Sequence, residues 1–186
     1  AEFGFETVCI DNDKSRVKDI NDGITPFYEP GLNELLIKHL NLTKLITATS
    51  DLASSLNQAN IVFITVGTPS KDLNNEANLS GLFEVAKEIA ANIKNYCVIV
   101  TKSTVPVGTT RKIKEIISEK ISQDKFDVVS NPEFLREGSA INDFMRPDRI
   151  VIGTETKRSE KIMREIYRPL YILETPIIST TIETAE

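Results

Sequence analysis

Hydrophobic and polar positions in this chain alternate between two kinds of pattern. Short apolar runs at Glu6 to Asp11, Asn60 to Val66, Tyr96 to Ser103, Phe126 to Ser130, Arg149 to Gly153 and Pro176 to Thr180 have the length and β-branched content of strands. Leu45 to Ala48 reads as a further short one. Between the runs, apolar residues recur at helical spacing: Leu82, Val85, Ala86, Ile89 and Ile93, then Ile113, Ile116, Ile117 and Ile121, then Ile162, Met163, Ile166 and Tyr167. Each stripe suits a helix lying on a sheet. The runs Ile61 to Ile64 and Cys97 to Val100 are apolar without alternation, as expected of strands covered on both faces. Strand and helix alternating throughout predict an α/β fold with a doubly wound, mostly parallel sheet.

The 186 residues suffice for one such domain and are too few for two. An apolar share of 40% with 26% charged residues is that of a chain that folds. The net charge of -5 and pI near 5.1 argue against nucleic acid as the main partner, because phosphate binding needs a basic surface. No apolar run approaches the roughly 20 residues of a membrane helix and no secretory leader is visible, so a soluble, cytoplasmic protein without a membrane partner is expected. Cys9 and Cys97 lie in strand-like runs and read as buried structural thiols; His39, in the leucine-rich run Leu32 to Leu40, reads as a surface or half-buried helix position. No metal is expected. Ala1 to Phe5 reads as the last turn of a helix stopped by Gly4, and Glu183 to Glu186 as a helix barely begun.

Candidate chemistry follows the strands. Asp11 ends the first one, where an acid can accept hydrogen bonds from the adenosine ribose of a dinucleotide; a capping role for the helix starting near Lys14 is equally open. Three polar segments, Val66 to Ser70, Ser103 to Thr110 and Ser130 to Gly138, each follow a strand. In a doubly wound sheet such loops line one crevice at the carboxyl ends of the strands, although each alone is also an ordinary turn. In the third, Asn131 can cap, Pro132 suits the first helical position and Gly138 can end the turn, which predicts a very short helix with Glu133 and Glu137 on one face. That pair can move protons at a crevice, or can be two solvated glutamates near a helix start.

The segments VCIDND (Val8 to Asp13), YEPGL (Tyr28 to Leu32), VGTPS, KSTVPVGT (Lys102 to Thr109) and SNPEFLREGSAINDFMRPDRIVIG (Ser130 to Gly153) occur in the order of a known family. Together they resemble the N-terminal, NAD-binding half of bacterial UDP-glucose 6-dehydrogenases, within the UDP-glucose/GDP-mannose dehydrogenase family. The NPEFLREG core is shared with GDP-mannose dehydrogenases; PDRIVIG favours the UDP-glucose branch.

The resemblance implies a Rossmann-type domain and a two-step oxidation of the C6 alcohol of UDP-glucose by two NAD+, through a thioester on a cysteine. Asp11 and Arg16 would bind the adenosine ribose side of NAD, and Thr68 would line the dinucleotide path. Thr104 would contact NAD and hold an active-site water. Glu133 would be the base for thioester hydrolysis and Glu137 would contact cofactor. The backbone from Phe134 through Leu135 and Arg136 to Glu137 would meet the sugar nucleotide. The family's first strand and glycine loop would precede Ala1, and its central helix and UDP-binding domain, with the nucleophilic cysteine, would follow Glu186. A central strand's absence should leave its neighbours unpaired, giving marginal stability or a rearranged sheet. The chain is therefore expected to be an incomplete, inactive part of a homo-oligomeric parent. A non-catalytic nucleotide-binding module and a GDP-mannose dehydrogenase fragment stay as alternatives, and a methyltransferase as a remote one.

Overall fold

The computed structural model describes residues 1–69 and 77–186, which leaves Ser70 outside. Every predicted strand forms. Strands β1 (Thr7–Ile10) and β2 (Ile46–Thr49) bracket α1 (Lys14–Asn21) and α2 (Leu32–Ile37), and α3 (Leu52–Ser55) leads to β3 (Ile61–Ile64). Then come α4 (Ser80–Asn92), β4 (Cys97–Thr101), α5 (Thr109–Ser118), β5 (Phe126–Ser130), α6 (Ala140–Met145), β6 (Ile150–Thr154), α7 (Lys157–Ile166), β7 (Ile177–Thr180) and α8 (Ile182–Ala185). No helix among the described residues is long and apolar enough to cross a membrane.

The strands fall into two sheets. β1 and β2 pair in parallel, and the larger sheet has the order β3-β4-β5-β6-β7. β1 and β3 thus each have one neighbour, in accord with the expected break between them. Val8 and Ile10, on one face of β1, are exposed. The larger sheet is parallel except at β5 and β6, which run antiparallel with Ser130 opposite Gly153.

Helical stripes cover the sheet as their spacing predicts. Leu82, Ala86 and Ile89 of α4 and Ile113 and Ile117 of α5 are fully buried against Ile64, Ile99 and Val128. On the opposite face Met163 of α7, with Tyr167, packs on Val98, Val100, Val129 and Ile152. β4, buried at all five positions, is the strand both layers share. Each large apolar side chain so buried contributes about 1.5–3 kcal/mol.

Two readings change. His39 is buried in a π-helical turn, Lys38–Leu42, because its ring nitrogens have partners there: Nδ1 lies 2.8 Å from Thr43 Oγ1 and Nε2 lies 2.6 Å from Glu2 Oε2. Cys97 is buried but Cys9, on the half-open β1 sheet, is only half-buried; both thiols are free.

Candidate active site

β3, β4 and β5 are mutually parallel, so the segments that follow them emerge at one end of the sheet. The first two are tied together. The Ser103 hydroxyl donates to the Val66 carbonyl at 2.7 Å, and the Thr68 hydroxyl donates to the Thr104 carbonyl at 3.1 Å. Thr104 itself is exposed at the crevice. The Ser103 to Thr110 segment then turns through Gly108, at φ +92°, into α5. Glu186, just past α8, closes this turn by accepting the backbone N–H groups of Gly108 and Thr110, both at 2.6 Å.

The segment after β5 has no regular structure from Asn131 to Arg136, which overturns the short helix expected there. The capping side chain is used elsewhere: Asn131 Nδ2 donates to the Val151 carbonyl at 2.7 Å, and its Oδ1 accepts the Tyr167 hydroxyl at 2.5 Å. Without that cap the chain runs alongside the start of β6. The antiparallel step in the sheet brings Arg149 to this end, where its guanidinium lies 4.6 Å from the centre of the Phe134 ring. Glu133 and Glu137 are consequently not paired on a helix face. The Glu133 carboxylate accepts the N–H of Leu135 at 2.5 Å, whereas Glu137 is exposed and makes no side-chain hydrogen bond among the described residues. Arg136 is drawn aside by Asp143, which accepts from its backbone N–H at 3.0 Å and pairs with its guanidinium at 2.7 Å.

Lys102, Glu133, Phe134, Leu135, Arg149 and Tyr167 are among the residues that line a half-open cavity of about 40 Å³, room for a few water molecules. Sequence reasoning gave no site role of their own to Lys102 and Arg149, and took Asn131 for a helix cap. Burial pushes the Lys102 ammonium down to about 8, with Glu133 pulling it back up. The same reasoning missed Glu29 of the YEPGL segment, whose buried carboxylate accepts the N–H of Gly138 at 2.7 Å and of Ala140 at 2.8 Å.

Asp11 and Arg16 stand apart from this cavity, on the smaller sheet. Asp11 Oδ1 accepts the Asp13 N–H at 2.9 Å and Oδ2 meets Arg16 at 2.8 Å, and these contacts hold its carboxyl below the usual range, the Asp13 bond first. The cap of α1 is Asp13, which accepts from Ser15 and Arg16, so Asp11 does not have that duty. Its remaining lone pairs, at the carboxyl end of β1, fit hydroxyl donors such as a ribose diol.

Residues 1–171 match the model of the UDP-glucose/GDP-mannose dehydrogenase family, NAD binding domain. The chain belongs to that family. Among its relatives, the UDP-glucose 6-dehydrogenase of Rhizobium meliloti is 45% identical over 100% of this chain and 43% of its own length. UDP-glucose 6-dehydrogenase TuaD of Bacillus subtilis is 43% identical, over 100% of this chain and 40% of its own. The chain thus spans about two fifths of these UDP-glucose 6-dehydrogenases. A ternary complex of GDP-mannose dehydrogenase from Pseudomonas aeruginosa superposes with a TM-score of 0.91 at 35% identity, over 98% of this chain and 42% of that one. A UDP-glucose dehydrogenase from Pyrobaculum islandicum gives 0.89 at 32%, over 98% and 43%. Dehydrogenases of this family use NAD, and the free lone pairs of Asp11 and the threonine-bearing loops suit it.

Proposed function

We propose that this chain is the cofactor-side part of a cytoplasmic UDP-glucose 6-dehydrogenase. With the rest of its subunit it would convert UDP-glucose, two NAD+ and water to UDP-glucuronate, two NADH and protons. The observation that carries the reading is the common placement of three loops. Parallel β3, β4 and β5 send the Thr68–Thr104 pair and the Glu133 to Leu135 segment to one end of the sheet, beside a small half-open cavity.

The roles are those the family resemblance implies. Asp11 and Arg16 bind the adenosine ribose side of NAD, and Thr68 and Thr104 line the dinucleotide path. NAD, when bound, would supply the acceptor for hydride from the sugar C6 carbon. Thr104, with its side chain exposed at the crevice, holds the water that opens the thioester, and Glu133 takes that water's proton. Glu137, exposed beside it, contacts cofactor. The backbone from Phe134 to Glu137 meets the sugar nucleotide mainly through its carbonyls, since the amides of Leu135 and Arg136 already have carboxylate partners.

The thioester sulfur does not come from this chain. Cys97 is sealed in the core, where burial pushes its thiol up to about 12, and burial also raises that of Cys9. The chain alone should therefore form no NADH from UDP-glucose and NAD+, and steady spectrophotometric turnover would overturn the reading. Calorimetry with NAD+, UDP-glucose and GDP-mannose separates the alternatives. Preference for GDP-mannose would move the chain to the branch of its Pseudomonas aeruginosa neighbour. A homo-oligomeric parent subunit is part of the proposal.

A further inference from the structure

Lys102 occupies an expensive position. Its backbone N–H donates to the Ile64 carbonyl at 3.0 Å, fixing the side chain's origin between β3 and β4, and its ammonium ends inside the cavity. Among the described residues Nζ has one hydrogen bond, 3.2 Å to the Pro132 carbonyl, and no ion pair. A half-buried ammonium with one weak partner costs stability unless its charge is used. The other ionisable groups on the cavity wall are Glu133, Asp143, Arg149 and Tyr167. Asp143 is neutralised by Arg136, Arg149 lies over Phe134 and the Tyr167 hydroxyl donates to Asn131. Glu133 is the acid left for Lys102 to face.

We propose that Lys102 is a positioning residue for Glu133: its ammonium ties down the Pro132 carbonyl, one residue before the glutamate, and sets a positive charge opposite the carboxylate. The inference rests on Glu133 acting as the base of the hydrolytic step. It gives that base two things it needs, a fixed peptide and a positive charge on the same cavity wall. As the ammonium loses its proton near pH 8, both effects fade.

The charge coupling can be read without turnover. In the 186-residue chain with ¹³C-labelled lysine, the Lys102 Cε signal reports its own titration. Replacing the facing carboxylate in Glu133→Gln should lower that midpoint by about one pH unit, whereas Glu137→Gln should leave it in place. An unchanged midpoint in Glu133→Gln overturns the proposal. In the intact subunit, Lys102→Met should lower kcat by about 10-fold or more with little change in the KM for NAD+, while Lys102→Arg should retain part of the rate and keep it to higher pH. Full activity of Lys102→Met also overturns it. If Glu133→Gln keeps normal turnover, the base reading itself falls and takes the catalytic meaning of Lys102 with it. A surviving titration coupling would show that this failure lay with the base and not with the pairing.

Discussion

Glu29 accepts a 2.7 Å hydrogen bond from the backbone N–H of Gly138, 109 residues further along the chain, and its second oxygen accepts from Ala140 at 2.8 Å. Glu186 treats Gly108 and Thr110 in the same way. In each case a glycine in the left-handed region, Gly138 at φ +79° or Gly108 at +92°, turns a loop at the crevice. A distant carboxylate then collects the amides on either side of the following residue. Both loops are thus held by charge-assisted bonds from outside the site, and the groups that face ligand need not hold themselves in place.

Glu29→Gln keeps the shape of that clamp but has one acceptor where two are needed. Its amide N–H₂ would be set against a backbone donor, at a cost of about 1–3 kcal/mol. Denaturant titration should show that loss. Hydrogen exchange should locate it, with the amides of Gly138 and Ala140 exchanging faster than in the unsubstituted chain. Unchanged exchange at both would show that the carboxylate does not hold the loop.

The periodicity that predicted strands and helices reports what each element buries, so every strand was legible; strand direction was not. Nothing in Phe126 to Ser130 or Arg149 to Gly153 distinguishes a parallel from an antiparallel neighbour, and the antiparallel step is what carries Arg149 to Phe134. The helix expected from Asn131 and Pro132 failed for a related reason. The capping side chain was claimed by Val151 and Tyr167, partners local sequence cannot register. Lys102 fell within the predicted strand Tyr96 to Ser103 with nothing local to mark its side chain, and Glu29 pairs across 109 residues. The threonine loops and Glu133 were readable because they follow strands directly and carry a family's motif.

Gly153→Ala should loosen the C-terminal helix. A Cβ at Gly153 would lie 2.5 Å from Ala185 Cβ, 2.7 Å from the Thr181 carbonyl oxygen and 2.9 Å from Ile182 Cα, so α8 sits directly on β6. Relief requires α8 to lift, because those neighbours are backbone or Cβ atoms. We expect a loss of about 1–3 kcal/mol. The amides of Gly108 and Thr110, which α8 holds through Glu186, should lose exchange protection with it. Retained protection would mean that α8 can shift without releasing the Ser103 to Thr110 loop.

Lys102→Met should stabilise the fold while damaging the site. The folded-state value of about 8 lies below the ordinary lysine range. The unfolded chain therefore binds this proton more tightly, and stability rises with pH from about 8 to about 10. Below that window both states are charged and the folded state bears the whole burial cost, roughly 2–3 kcal/mol. Methionine removes the cost near neutrality. Denaturation at pH 7 should show the gain, and the rise between pH 8 and 10 should shrink in the variant. Equal pH slopes in the two proteins would mean that the ammonium is hydrated in solution.

Acid sensitivity tests the other side of the sheet. Glu160 on α7 accepts from the Ser179 hydroxyl of β7 at 2.7 Å, from Arg164 at 3.1 Å and from Lys157 at 3.1 Å. These contacts, the Ser179 bond first, hold its carboxyl down to about 2. A depressed carboxylate stabilises the fold above its unfolded value of about 4.3, and the contribution drains as pH falls toward 2. Two of its partners are long, partly solvated cations, so screening limits the effect to about 1 kcal/mol. Glu160→Gln should be less stable by that amount at neutral pH and match the parent only below pH 2, since at pH 2 the parent carboxyl is still about half ionised. The difference between their denaturation curves should therefore shrink across the acid range. A difference that stays constant with pH would assign the loss to packing between α7 and β7, with no part for the charge.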